Sequence, residues 1–153
     1  MAQPLRIKLA IAQYEHWALA AVVPGADPAQ IFEMKGDSTR FVYHTRLASM
    51  IACRWLSGGY EIGEVLGPAR LDSTNMGWLN EFLPEVEIVH TTNGSWNCQD
   101  WVLDAVRALR EASERVRITA SLEVGKIKEG LESEFQWWDL GGDNYFERLF
   151  NAR

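Results

Sequence analysis

Cys98 stands in the stretch Gly94-Ser95-Trp96-Asn97-Cys98-Gln99-Asp100-Trp101-Val102, where turn-forming residues give way to an amphipathic pattern. A thiol at a helix start meets unpaired backbone N–H groups and the positive end of the peptide dipoles, which together favour a thiolate and an oxyanion. Thiol hydrolysis or acyl transfer also needs an imidazole to take and return the proton, and a polar group to orient that imidazole. Three histidines compete for the first role: His16, His44 and His90. His16 fits best, with Glu33 as its orienting carboxylate. His44, in Phe41-Val42-Tyr43-His44-Thr45, reads as a solvent-facing strand residue, and His90 has no evident orienting group, so each is a fallback. A free cysteine is more often a small buried hydrophobe than a nucleophile. That reading is assigned to Cys53, which sits among Met50, Ile51, Ala52 and Trp55. The ordinary alternative for Glu33 is an exposed strand residue paired with Lys35 or an arginine.

The elements that would position these residues follow from pattern. Residues 5 to 23 are rich in Ile, Leu, Val and Ala and end at Pro24-Gly25-Ala26-Asp27-Pro28, which predicts one or two strands and a turn. If His16 is extended, Tyr14, His16 and Ala18 share one face while Trp17 and Leu19 occupy the other. Ile31 to Lys35 alternates as a second strand, with Glu33 opposite in direction to Phe32 and Met34. A hairpin loop of about six residues would set this strand beside the first and bring Glu33 within reach of His16. Phe41 to Leu47 is a further strand, and residues 47 to 66 add one or two more around Ser57-Gly58-Gly59, read as a turn.

Asp72, Ser73, Thr74 and Asn75 offer caps for a short helix through Trp78, Leu79, Phe82 and Leu83, ended by Pro84. Glu87 to His90 reads as a brief extended link. The strongest helix follows: Cys98, Val102, Ala105, Val106 and Leu109 form one inward stripe, with Ser95 or Asn97 as cap, Asp100 and Asp104 early, and Arg107 and Arg110 late. Ile118 to Val124 is expected to be a last strand. Residues 130–153 carry enough Trp and Phe to be a docked C-terminal tail of a single domain spanning residues 1–153.

Composition sets the limits. The chain has 153 residues, 47% apolar and 24% charged, enough for one self-sufficient core. A net charge of -6 repels phosphate backbones and argues against a nucleic-acid partner. No apolar run approaches the ~20 residues of a membrane span, and the N-terminus lacks the apolar core of a secretion signal. Two cysteines outside any Cys-x-x-Cys pair fit reduced thiols and a cytoplasmic protein. No ligand-spaced His, Cys, Asp or Glu group predicts a metal, and neither Gly58-Gly59 nor Gly141-Gly142 has the context of a phosphate loop, so no cofactor is expected.

Tyr14-Glu15-His16-Trp17-Ala18-Leu19, followed far downstream by Asn97-Cys98-Gln99-Asp100-Trp101-Val102, resembles the circularly permuted papain-like (NlpC-type) superfamily, in which His precedes Cys. The first segment is similar to the Tyr-x-His-Trp-Ala strand of the lecithin:retinol acyltransferase-like proteins, and the second to their Asn-Cys-x-x-Phe-Val helix start, with Trp101 in place of Phe. A strand-rich half, a Leu-Gly-Pro turn at 66 to 68, a short helix and Asn-Cys also resemble the PPPDE isopeptidases. Their Asn-Cys-Asn-His-Phe differs from the present segment after the second residue. The resemblance covers roughly residues 7 to 112. It implies an α+β, permuted papain-like fold, an antiparallel sheet carrying His16 and Glu33 packed against a helix that starts at Cys98.

It further implies Cys98 as nucleophile, His16 as general base and Glu33 in the place of the third polar residue. Tyr14 would donate to an oxyanion beside the Cys98 N–H, and Trp96 and Gln99 would form cleft wall. The expected activity is cysteine-dependent hydrolysis of an amide, isopeptide or related acyl bond through a thioester. The substrate would be a small molecule, a peptide or a modified protein. Alternatives are a thiol acyltransferase of the lecithin:retinol acyltransferase-like type, for which the expected absence of an anchoring segment counts against a phospholipid substrate, and a non-catalytic ligand-binding or regulatory module on the same fold.

Overall fold

The computed structural model describes residues 6–14, 16–37, 39–51, 56–67 and 74–151. Cys53, the Asp72 and Ser73 caps and the Pro68 end of the Leu-Gly-Pro turn lie outside the described residues. Alternation of small and large apolar residues folds the N-terminal part into β1 (Lys8–Gln13), β2 (Trp17–Val22), β3 (Ala29–Lys35), β4 (Val42–Ala48) and β5 (Gly58–Val65). The helices α1 (Thr74–Phe82) and α2 (Cys98–Glu111) follow, then β6 (Val116–Ile118), α3 (Val124–Asp139) and α4 (Tyr145–Asn151). The strands form one antiparallel sheet in the order β4-β3-β2-β1-β5-β6. The architecture is α+β, as the patterning predicts.

Strand alternation divides the apolar residues between two sheet faces. Leu9, Ile11, Trp17, Leu19, Phe32 and Met34 face the larger core, where they meet Trp101, Val102, Ala105, Val106 and Leu109 of α2 and Ile127 and Leu131 of α3. Ala10, Ala12, Ala18, Ala20 and Ile31 face the other way, against Met50, Leu56 and Phe146. The alanines on this second face leave room for Phe146 of α4 to come close to the strands. α2 forms as its periodicity predicts, with Asn97 rather than Ser95 as the cap.

Three expectations need correction. Gly58 and Gly59 are strand residues of β5, not a turn. A Cβ on Gly59 would lie 2.7 Å from the Phe146 ring, so the glycine serves the packing of α4. The last strand covers Val116–Ile118 and ends where it was expected to begin. The weakly patterned C-terminal region is helical, and α3 runs through the Gly130 boundary. Gly130 interrupts the propensity of that helix, yet a Cβ there would stand 2.5 Å from the Tyr60 ring. Tertiary packing therefore explains the residue that hides the helix.

Candidate functional site

β1 and β2 are joined by a tight turn, since Gln13 and Trp17 are paired across it, and His16 lies in that turn immediately before β2. Residues 23–28 connect β2 to β3, the six-residue loop that the hairpin reading requires. β3 then runs beside β2, with Leu19 opposite Phe32, and carries Glu33 beyond that pair toward the turn that holds His16. The His16 Nε2–H donates to Glu33 Oε1 at 2.9 Å.

Glu33 is 1% exposed, and its two oxygens collect three donors. Besides His16, Arg46 Nε donates to Oε2 at 2.8 Å and His44 Nδ1 lies 3.3 Å from the same oxygen. Burial pushes the Glu33 carboxyl up, but the bonds from His16, Arg46 and His44 and the Arg46 charge outweigh it and hold the group down at about 2. An ionised carboxylate can only accept, so the hydrogen bond to Glu33 requires a proton on His16 Nε2. The His16 side chain is 39% exposed, so the ring reaches solvent although the carboxylate beneath it does not.

Cys98 is the first residue of α2. The Asn97 side chain accepts the N–H groups of Gln99 and Asp100, and the Asp100 carboxylate accepts the Asn97 N–H at 2.9 Å, a complete capping box. The bonds of the cap do not use the N–H of Cys98. Cys98 and His16 line one cleft of about 410 Å³ together with Met34, Lys35, Gly36, Phe41 and Asn97. No hydrogen bond joins thiol and imidazole in this arrangement among the described residues.

The thiol itself departs from expectation. Burial pushes Cys98 up from its ordinary range, the backbone N–H groups of Trp17, Gln99 and Cys98 pull it back, and the Asp100 charge adds to the rise. The net direction is up. The helix start does supply N–H groups, but the acidic cap that stabilises it opposes a thiolate.

The other predicted site residues have contacts of their own. Tyr14 stacks on His16 at 6.2 Å between ring centroids, yet its hydroxyl donates to Met50 Sδ at 3.5 Å, within the cluster on the face away from α2. The Arg46 guanidinium lies over the same ring, 5.6 Å from its centroid. Trp96 packs edge-on against Phe41, a residue of the cleft wall, with centroids 6.1 Å apart. Gln99 lines a different cleft, with Gln13, Trp17, Lys128, Leu131 and Glu132. His44 is not merely solvent-facing, since it contacts Glu33, and His90 bonds the Phe41 carbonyl at 2.9 Å.

Arg46 is the residue that sequence reading misses. Its signal was the β3–β4 register: Glu33 stands opposite His44, and alternation puts Arg46 on the same face two residues on. No group of three or more His, Cys, Asp or Glu side chains among the described residues is arranged to hold a metal ion. No helix among the described residues is long and apolar enough to cross a membrane. Comparison with protein-family models, curated proteins and solved structures gives no match to this chain.

Proposed function

We propose that the chain is a cysteine-dependent hydrolase of amide, isopeptide or related acyl bonds, with Cys98 as nucleophile, His16 as general base and Glu33 as the group that orients His16. One observation carries the reading. His16 is held through Nε2 by a buried, ionised Glu33 while its ring shares a cleft with Cys98. A surface ion pair needs neither such burial nor three donors.

Because burial and Asp100 keep Cys98 a thiol, the attack runs with general-base help and not from a preformed thiolate. As Sγ bonds the carbonyl carbon, the thiol proton passes to His16 Nδ1, and Glu33 stabilises the imidazolium that forms. The Cys98 N–H faces the developing oxyanion. Collapse breaks the carbonyl–nitrogen bond, His16 returns the proton to the leaving amine, and water hydrolyses the thioester. Passage of the acyl group to an acceptor other than water would make the same site an acyltransferase. The permuted papain-like resemblance of the two segments around His16 and Cys98 is in keeping with this chemistry.

A second reading, a ligand-binding module on this framework, is favoured by the raised thiol. Iodoacetamide labelling of Cys98 at neutral pH separates the two. The hydrolase reading expects His16→Ala to slow labelling by ~10²-fold, the lower end of general-base effects, without loss of fold. Labelling that is indifferent to His16 and rises only with the thiol's own ionisation would overturn it.

A further inference from the structure

A base must hold its plane as well as its proton. His16 is bound to Glu33 through Nε2, at the end of the ring away from Cβ. Rotation about the Cβ–Cγ bond displaces Nδ1 more than Nε2, and a torsion onto a planar ring is intrinsically broad. One bond at Nε2 therefore restrains the tilt of the imidazole only loosely, and solvent over 39% of the side chain adds no restraint.

Tyr14 supplies what is missing. Its backbone N–H donates to the His16 carbonyl at 2.9 Å, and its ring stacks on the imidazole with the planes 27° and the centroids 6.2 Å apart. The phenol ring is held in turn. The Arg46 guanidinium lies over it at 5.6 Å from the centroid, and the hydroxyl donates to Met50 Sδ at 3.5 Å. Arg46 also donates to Glu33 Oε2, and Glu33 Oε1 accepts from His16. Tyr14, His16, Glu33 and Arg46 thus close a circle in which each member touches two others. Among the described residues, His16 is the one member of that circle that lines the Cys98 cleft.

We infer that Tyr14 is a positioning residue, whose ring face sets the plane in which His16 offers Nδ1 to the thiol, and that its hydroxyl takes no part in the reaction. This rests on Cys98 and His16 acting as nucleophile and base. No bond is made or broken at Tyr14. The circle needs an aromatic plane for the imidazole and a π face for the guanidinium, and phenylalanine provides both. An oxyanion donor would need the phenol.

Two thiol reagents separate the roles. p-Nitrophenyl acetate acetylates a thiol through a tetrahedral oxyanion with release of p-nitrophenolate, whereas iodoacetamide alkylates it with release of iodide and forms no oxyanion. Both rates on Cys98, read by peptide mass at neutral pH, should be unchanged in Tyr14→Phe. Both should fall about fivefold in Tyr14→Leu, the scale of one aromatic pair. In a His16→Ala background Tyr14→Leu should slow neither reagent further, because the ring acts through the imidazole. Loss of acetylation in Tyr14→Phe would assign the effect to the hydroxyl, and a Tyr14→Leu loss that persists without His16 would assign it to general packing. Either result, or wild-type rates in Tyr14→Leu, overturns the positioning role. The imidazole N–H proton resonance that is lost in His16→Ala reports on the ring without the thiol, and it should stay sharp in Tyr14→Phe and broaden in Tyr14→Leu. That pattern with labelling indifferent to His16 removes the hydrolase reading and leaves the positioning role. His16-dependent labelling with a sharp resonance and wild-type rates in Tyr14→Leu does the reverse.

Discussion

The two faces of the sheet treat their ionisable groups in opposite ways. On the face shared with Ile31, Glu33 is buried but receives bonds from His16, His44 and Arg46, and its carboxyl is held down at about 2. On the face packed by α2, Cys98 is half-buried with only backbone N–H groups in support, and it is pushed up. His16 touches both sides. From the turn at the end of the β1–β2 hairpin its Nε2 reaches Glu33 and its ring borders the Cys98 cleft. Side-chain donors outweigh burial on the first face, and backbone N–H groups do not outweigh it on the second. The carboxylate side is held ionised by its three partners, and the thiol side is held protonated by burial and the Asp100 charge.

Breaking the carboxylate side should give the largest effect. Glu33→Gln leaves Arg46 without its charge partner, and the shift from 4.5 to about 2 corresponds to roughly 3 kcal/mol. The sign is fixed by the depressed value. The stability contributed by Glu33 is complete above about 4.5 and is lost as pH falls from there toward 2. Urea denaturation should therefore show wild type ahead of Glu33→Gln by that amount at neutral pH, with the gap closing near the lower limit. A gap independent of pH would show that the loss comes from packing and not from the charge.

α2 was legible because Cys98, Val102, Ala105, Val106 and Leu109 repeat at helical spacing, and β3 because Phe32 and Met34 alternate with Glu33. The six-residue connection before β3 was legible from Pro24-Gly25 and Asp27-Pro28. Arg46 and His44 were not, since their role depends on the β3–β4 register, which pairs Glu33 with His44 and is set by long-range packing. α3 was hidden by Gly125 and Gly130, the second of which is required by the Tyr60 ring and not by local propensity. The direction of the Cys98 shift was hidden because burial outweighs the helix start, a balance that only the packed structure displays.

Weakening the carboxylate side without removing it should have a smaller effect. Arg46→Met deletes one donor and one charge but leaves the two imidazoles on Glu33. A loss of roughly 1–2 kcal/mol is expected, in keeping with one charge-assisted bond to a partly exposed partner. The Glu33 carboxyl should rise from about 2, so acid unfolding should begin at higher pH than in wild type. Iodoacetamide labelling should slow less than in His16→Ala, since Nε2 keeps its acceptor. An acid limb unmoved in Arg46→Met would place the depression of Glu33 on the imidazoles alone.

The smallest expected change in stability tests the thiol side most sharply. Asp100 serves two interests that conflict. Its carboxylate accepts the Asn97 N–H and suits the positive end of α2, yet the same charge raises the Cys98 thiol. Asp100→Asn retains an oxygen that can close the capping box, so the loss of charge should cost only about 0.5 kcal/mol. With the anion gone, the Cys98 ionisation should move down, and labelling at fixed neutral pH should become faster in the less stable protein. Faster labelling must also persist in a His16→Ala background, because Asp100 acts on the sulfur directly and not through the imidazole. An ionisation that stays in place in Asp100→Asn would assign the raised thiol to burial alone, and the two faces would then differ only in how many donors each provides.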